Sequence, residues 1–341
     1  MRTTFVEKVL TALVAVGSAV TAGFLPTYLS GRYQGVVGIV GAIGAVVLMA
    51  SVFLRWQLGR RRRGGSLVVF APMESWRSPE LWLHSAVRYG RSRFEVQQVV
   101  TRRLPGDPSR WKTAMDDLGL LLDSAMTEGA AVSSITGELS LLVNAPWPVA
   151  WRIGADLGMQ RFGVFQQDAD DSGFFAAVGV NRRLKASLED GSPSMITVEE
   201  EPMLPDGDAV AIALSLSSHA GVIDQSRPVC DAQRVRERLV VRLADRFNRI
   251  VPDEQEAFER LVREVGGTVR GYLERQSERA TAAERQRNAA AGSGGPPAWP
   301  VYVFASMPVS VAVGLGAFFG ETRDFRLMHF VEGTYVEADL R

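Results

Sequence analysis

Apolar positions along this chain fall into two regimes. In the first sixty residues they are continuous: 10–29 and 35–54 each run for 20 residues without a charged side chain. At a rise of about 1.5 Å per residue, such a run reaches about 30 Å as a helix, the thickness of bilayer hydrocarbon. Five residues, 30–34, separate the two runs, which predicts a transmembrane helical hairpin. A cleaved signal peptide is the alternative for the first run, but that run is longer than a signal core and leads at once into a second span.

Beyond residue 63 the pattern breaks into short apolar runs and helical periodicities. SLVVF (66–70) reads as a strand, 79–89 as an amphipathic helix and FEVQQVV (94–100) as a strand. Trp111, Met115, Leu118 and Leu122 then recur at helical spacing. Residues 139–144 are strand-like, Pro148 suits the first turn of a helix running to about 157, and 161–167 returns as a strand. A second series follows, with a strand inside 208–221, a helix over 231–248, a strand at 301–306, a helix over 308–318 and a strand at 325–330. The Glu- and Arg-rich stretch 255–287, broken by Gly266 and Gly267, reads as one or two solvated helices, and 181–201 as a surface excursion.

Continuous apolar strands alternating with helices predict an α/β fold with a largely parallel sheet covered on both faces. LLVNAPWPVAWRIG (141–154) and VYVFASMPVSVAVG (301–314) repeat one strand-to-helix junction. At an offset of 160, Ala145 matches Ala305, Pro148 matches Pro308, Val149 matches Val309 and Gly154 matches Gly314. Two related halves are therefore expected. The division is a module over 1–63, a first half over 64–205 and a second over 206–341.

Charge changes the picture at the amino end. Residues 1–63 carry eight basic side chains against the single acid Glu7, whereas 64–341 carry 30 basic and 37 acidic ones. The basic residues flank the two spans and only Arg32 lies between them, so the positive-inside rule predicts that both chain ends lie in the cytoplasm. The net negative remainder argues against a binder of long nucleic acid. One cysteine, Cys230, excludes an internal disulfide.

Catalytic signatures are missing. His84, His219 and His329 are far apart in sequence, no metal-ligand spacing occurs, and there is no nucleophile elbow, phosphate loop or dinucleotide fingerprint. No catalytic residue, metal or cofactor is expected. What remains is the crevice at the carboxyl ends of the strands, where helix amino ends offer amides to anions. Trp147 and Trp151 could stack on a base or fill the core, and Arg152 could meet a phosphate or join a surface ion pair. Ser217, Ser218, Ser306 and Ser310 could donate hydrogen bonds, with His219, Met307 and Pro308 shaping the turns.

VYVFASMPVSVAVGLGAFFG followed by FRLMHFVEG resembles the carboxyl-terminal signature of SAVED domains, and AIALSLSSHAG resembles their preceding strand and turn. The likeness covers 208–341, and NAPWPVAWRIGADLG extends it back to about 139. Two spans ahead of such a domain resemble the membrane-anchored effectors of bacterial cyclic-oligonucleotide-based anti-phage signalling (CBASS). The resemblance implies two fused CARF-like, Rossmann-like halves behind the hairpin. It also implies a cyclic di- or trinucleotide ligand made by a partner CD-NTase-type cyclase, and a ligand-induced homo-oligomer that acts on membrane lipid. Ser217, Ser218 and His219 match one strand tip, Ser306, Met307, Pro308 and Ser310 the other, and 145–152 would be the tip of the first half. The nuclease or protease module of the family is absent from this chain. Two alternatives stay open, a membrane-anchored nuclease acting on the cyclic nucleotide and a non-catalytic protein-interaction scaffold.

Overall fold

The computed structural model describes residues 65–76, 79–94, 96–133, 139–158, 161–168, 173–185, 193–217, 221–245, 254–291, 299–320 and 325–340. The expected hairpin and the whole 1–63 module lie outside these residues. Among the described residues, no helix is long and apolar enough to cross a membrane. Residues 65–89 and 96–341 form one compact unit; a second holds 1–64 and 90–95, of which 90–94 are described.

The first half is built from β1 (Gly65–Phe70), α1 (Glu80–Arg93), β2 (Val96–Thr101), α2 (Lys112–Ser133), β3 (Leu139–Asn144), α3 (Trp147–Leu157), β4 (Phe162–Gln167) and β5 (Phe174–Val180). The second is built from β6 (Ile196–Pro202), β7 (Ala209–Ser215), α4 (Val222–Ala232), β8 (Val235–Leu243), α5 (Gln255–Ala291), β9 (Val301–Ser306), α6 (Val309–Phe319), β10 (Phe325–Val331) and β11 (Thr334–Glu337). The sheets are ordered β2-β1-β3-β4-β5 and β11-β10-β9-β7-β8-β6. Reversing the second order matches β8, β7, β9, β10 and β11 to β2, β1, β3, β4 and β5, with β6 left over as an extra edge strand.

Interior pairs are parallel, as expected, and each half ends in an antiparallel hairpin, β4–β5 and β10–β11. The added β6 also pairs antiparallel, with β8. Because β6 belongs to the second sheet, that sheet begins on the amino-terminal side of residue 206. Part of the supposed surface excursion at 181–201 is therefore an edge strand.

Within the helix expected over 231–248, residues 235–243 form a strand instead; 231–232 end α4, and 246–248 lie outside the described residues. VRERLVVRL contains helix-forming Arg, Glu and Leu, but it runs between β7 and β6 with Leu239, Val240 and Val241 fully buried. Arg238 is buried as well, its guanidinium donating to Glu201 Oε2, Ile223 O and Ser226 Oγ. A buried arginine disguised the strand as a charged helix.

The stretch 255–287 departs from expectation in its burial, not in being a single helix. α5 is one unbroken helix, and its first half is not solvated: Phe258, Leu261, Val262, Val265, Val269, Tyr272 and Leu273 are buried. Gly266 does not interrupt it, because its bare Cα lies against the ring of Phe318.

The offset between the halves is 162, not 160. β3 and β9, then α3 and α6, coincide at that offset from first residue to last, as do the caps Pro146 and Pro308 and the left-handed Gly158 and Gly320 that close the helices. Val149/Val311, Ala150/Ala312, Gly154/Gly316 and Ala155/Ala317 match as well. α3 packs directly on α6 through reciprocal seats. A Cβ on Gly154 would lie 2.0 Å from Val313 O, and one on Gly316 would lie 1.9 Å from Trp151 O. Only glycine allows that approach of backbone to backbone. The contact fuses the two halves into one hydrophobic core.

Candidate functional site

In each half the chain leaves adjacent parallel strands in opposite directions at β1/β3 and β7/β9, the switch points at whose carboxyl ends open α/β sheets bind their ligands. The two points are built alike. The Ala71 amide donates to Asn144 O at 2.9 Å, and the Leu216 amide donates to Ser306 O at 2.8 Å. Their side chains differ, since the second point carries two hydroxyls in contact, Ser217 Oγ and Ser306 Oγ at 2.6 Å.

Beyond Ser306 the chain turns through Met307 and Pro308 into α6. Pro308 is extended at φ −58°, ψ 144°, and its carbonyl accepts from both Val311 and Ala312 at 3.1 Å. Ser310 is the second residue of the helix and only 1% exposed, yet its Oγ has no hydrogen-bond partner among the described residues. Its amide approaches Gln166 Oε1 at 3.4 Å. Gln166 belongs to the other half. It follows Phe165, which pairs with Leu142, so it lies level with the end of β3. The amino end of α6 therefore sits at the carboxyl edge of the first sheet, and the strand tips of both halves converge there.

The indoles behave differently from what base stacking requires. Trp151 is 4% exposed and lies parallel to Phe319 with centroids 5.6 Å apart, edge-on to Phe325 and Trp147. It fills the seam between α3 and α6. Trp147, at the first position of α3, is buried too, at 7% exposure. Arg152 is held in an ion pair with Asp156 at 2.7 Å. With the offset of 162, Trp151 and Arg152 stand opposite Val313 and Gly314 rather than Val311 and Ala312. Ser218 and His219 lie outside the described residues.

The structure thus brings together Ser217, Ser306, Met307, Pro308 and Ser310, and assigns Trp147 and Trp151 to the interior. Gln166 was not foreseen from the sequence. Its signal was the polar pair that ends the alternating strand FGVFQQ, at the edge where ligands bind in sheets of this kind.

Other reactive groups are quenched by their surroundings. Burial raises the Cys230 thiol to about 11 and keeps it protonated, which denies it nucleophilic character. Burial lowers His329 to about 4, so its imidazole is neutral near pH 7. Among the described residues no group of three or more His, Cys, Asp or Glu could hold a metal ion.

No protein-family model matches the chain, and no curated protein does. Solved structures do resemble it. One is the Acinetobacter baumannii Cap4 SAVED/CARF-domain containing receptor with the cyclic trinucleotide 3'3'3'-cAAA, at a TM-score of 0.46 and 12% identity over 92% of this chain and 60% of that one. The same receptor with 2'3'3'-cAAA gives 0.44 and 11% over the same shares. A third structure of that receptor gives 0.41 and 11%, over 92% and 59%. The present chain spans about three fifths of the length of the receptors it matches. The duplicated α/β description rests on the strand order and helix seats of this chain itself.

Proposed function

We propose that the chain is a receptor that binds a cyclic di- or trinucleotide second messenger at the convergent carboxyl edges of its two sheets. The observation that carries this reading is the meeting of Ser310 and Gln166, which links the amino end of a helix in one half to the strand edge of the other. A ring of nucleotides offers several phosphates and bases to two similar but non-identical strand-tip surfaces. The paired hydroxyls of Ser217 and Ser306 and the Ser310 Oγ, which has no partner among the described residues, suit polar, oxygen-rich groups. The ligand class comes from the resemblance of 208–341 to SAVED domains.

In this reading the receptor performs no chemistry on its ligand. Occupied copies associate, and residues 1–63, as a hairpin in the bacterial inner membrane, disrupt the bilayer and stop phage propagation. Ligand drives the change only by binding the associated form more tightly than the resting one, since equal affinity would shift nothing. The full chain, reconstituted in dye-loaded liposomes, is titrated with a panel of cyclic di- and trinucleotides while binding is followed by calorimetry. At least one nucleotide should bind and release dye, and be recovered intact. Absence of binding across the panel removes the receptor role; binding with retained dye removes membrane disruption; a linearised nucleotide favours the nuclease.

A further inference from the structure

The two helix amino ends at this site are not chemically equal. α3 is entered through Pro146 and has Pro148 at its second position, so an amide is missing where α6 presents that of Ser310. The strands facing them differ in the same sense. Phe162 and Phe325 hold equivalent places, paired with Leu139 and Val301, which makes His329 the register counterpart of Gln166. Gln166 Oε1 meets the Ser310 amide, whereas His329 Nδ1 is buried without a partner among the described residues. One helix end thus pairs an amide with a carboxamide oxygen, while the other has a proline in place of that amide, and the register counterpart of Gln166 is an imidazole whose ring lies against Trp111.

We propose that the amino end of α6 is the oxyanion-holding end of the site, that Gln166 occupies it in the empty protein, and that a phosphodiester oxygen displaces Gln166 to reach the Ser310 amide and hydroxyl. This deepens, and rests on, the receptor reading above. A helix amino end favours negative charge through its oriented amides. The neutral oxygen of Gln166 at 3.4 Å is a long, weak substitute for that charge. The buried Ser310 Oγ, with no partner among the described residues, is a second group able to bind one. α3, stripped of the corresponding amide, receives an uncharged part of the ligand, so a ring of unlike nucleotides binds in one orientation.

The test uses the full chain solubilised in detergent and isotope-labelled at serine nitrogen, titrated with inorganic phosphate and, separately, with the panel of cyclic nucleotides. The Ser310 amide resonance, assigned by its loss in Ser310→Pro, should move saturably with phosphate. Gln166→Ala should bind phosphate more tightly. Gln166→Glu, which supplies an internal carboxylate, should weaken phosphate by at least about tenfold, the scale of a hydrogen bond to a charged group. Ser310→Pro should weaken it similarly, and proline is compatible with that helix position because Pro148 already holds its counterpart in α3. If that variant fails to fold, the resonance is assigned by selective labelling and Gln166→Glu carries the comparison.

An unmoved Ser310 resonance at high phosphate, or a Gln166→Glu protein that binds phosphate like the unaltered one, overturns the proposal. Phosphate that moves Ser310 while no cyclic nucleotide binds removes the receptor reading and leaves the oxyanion end standing. A cyclic nucleotide whose affinity ignores Gln166→Glu does the reverse.

Discussion

His329 lies on β10 with its ring 5.3 Å from that of Trp111, and burial lowers its pKa from 6.5 to about 4. Its folded value is below its unfolded one, so the unfolded chain takes up the proton first as pH falls. The stability contributed by neutral His329 is therefore whole above about pH 6.5 and is lost as pH drops toward 4. At pH 4.5 the loss amounts to roughly 2–3 kcal/mol. His329→Gln, which copies the residue at the equivalent place on β4, should reduce the pH dependence of stability by about that amount. Urea titrations at pH 7 and 4.5 would check it, and an equal loss of stability between the two pH values in both proteins would show that His329 is already solvated. Arg238 follows another rule, because its charge is kept in the interior by Glu201, a carbonyl and Ser226. Removing only one partner of such a set typically costs about 3–5 kcal/mol. Arg238→Met should lower the denaturation midpoint markedly, and Arg238→Met with Glu201→Leu should recover much of it. An equal loss in the single and double variants would mean that the pair is not what stabilises β8.

At the scale of elements, the α3–α6 crossing controls the architecture. Gly154→Ala places a methyl within 2.0 Å of a carbonyl oxygen, a contact that no rotamer can relieve. The helices must separate, and a cost of at least about 1–3 kcal/mol is expected from overpacking alone. Gly267→Ala, on α5 with nothing within 4 Å of the added Cβ, should be neutral or stabilising, and thermal melts of the two variants would distinguish site from residue type. The same crossing explains what the sequence could and could not disclose. The repeated junction was legible because strand, proline and glycine recur together. Its register was ambiguous, since Pro146 and Pro148 both align with Pro308, and the element bounds, the caps and the reciprocal glycine seats together select 162. β8 was opaque for a related reason: its arginines read as solvated until β6 supplies partners. Gln166 carried only the faint signal of a polar strand end, because its role depends on a contact 144 positions away. Ser217 and Ser306 were nominated from their strand ends, and those ends do meet. Trp151 was the reverse case, a plausible stacking platform already engaged by Phe319.

For the whole molecule, the two sheets share one continuous core, and α5 ties them together from outside. Glu259 accepts from the Gly179 amide on β5, while Glu264 accepts from Met195 ahead of β6. Gln276 and Arg279 reach Glu237 on β8. Such bracing predicts that the described fold unfolds as one body, with near- and far-ultraviolet circular dichroism giving a single denaturant midpoint. Separate midpoints would mean that either half survives without the other. The reciprocal glycine seats carry a further consequence. Two matching patches that each receive the other are the isologous form of a homodimer interface, here enclosed in a single polypeptide. A true homodimer must alter both partners with every substitution, whereas a fused pair can change one side alone. Pro148 facing Ser310 across the pseudo-dyad is a difference that only the fused chain could acquire.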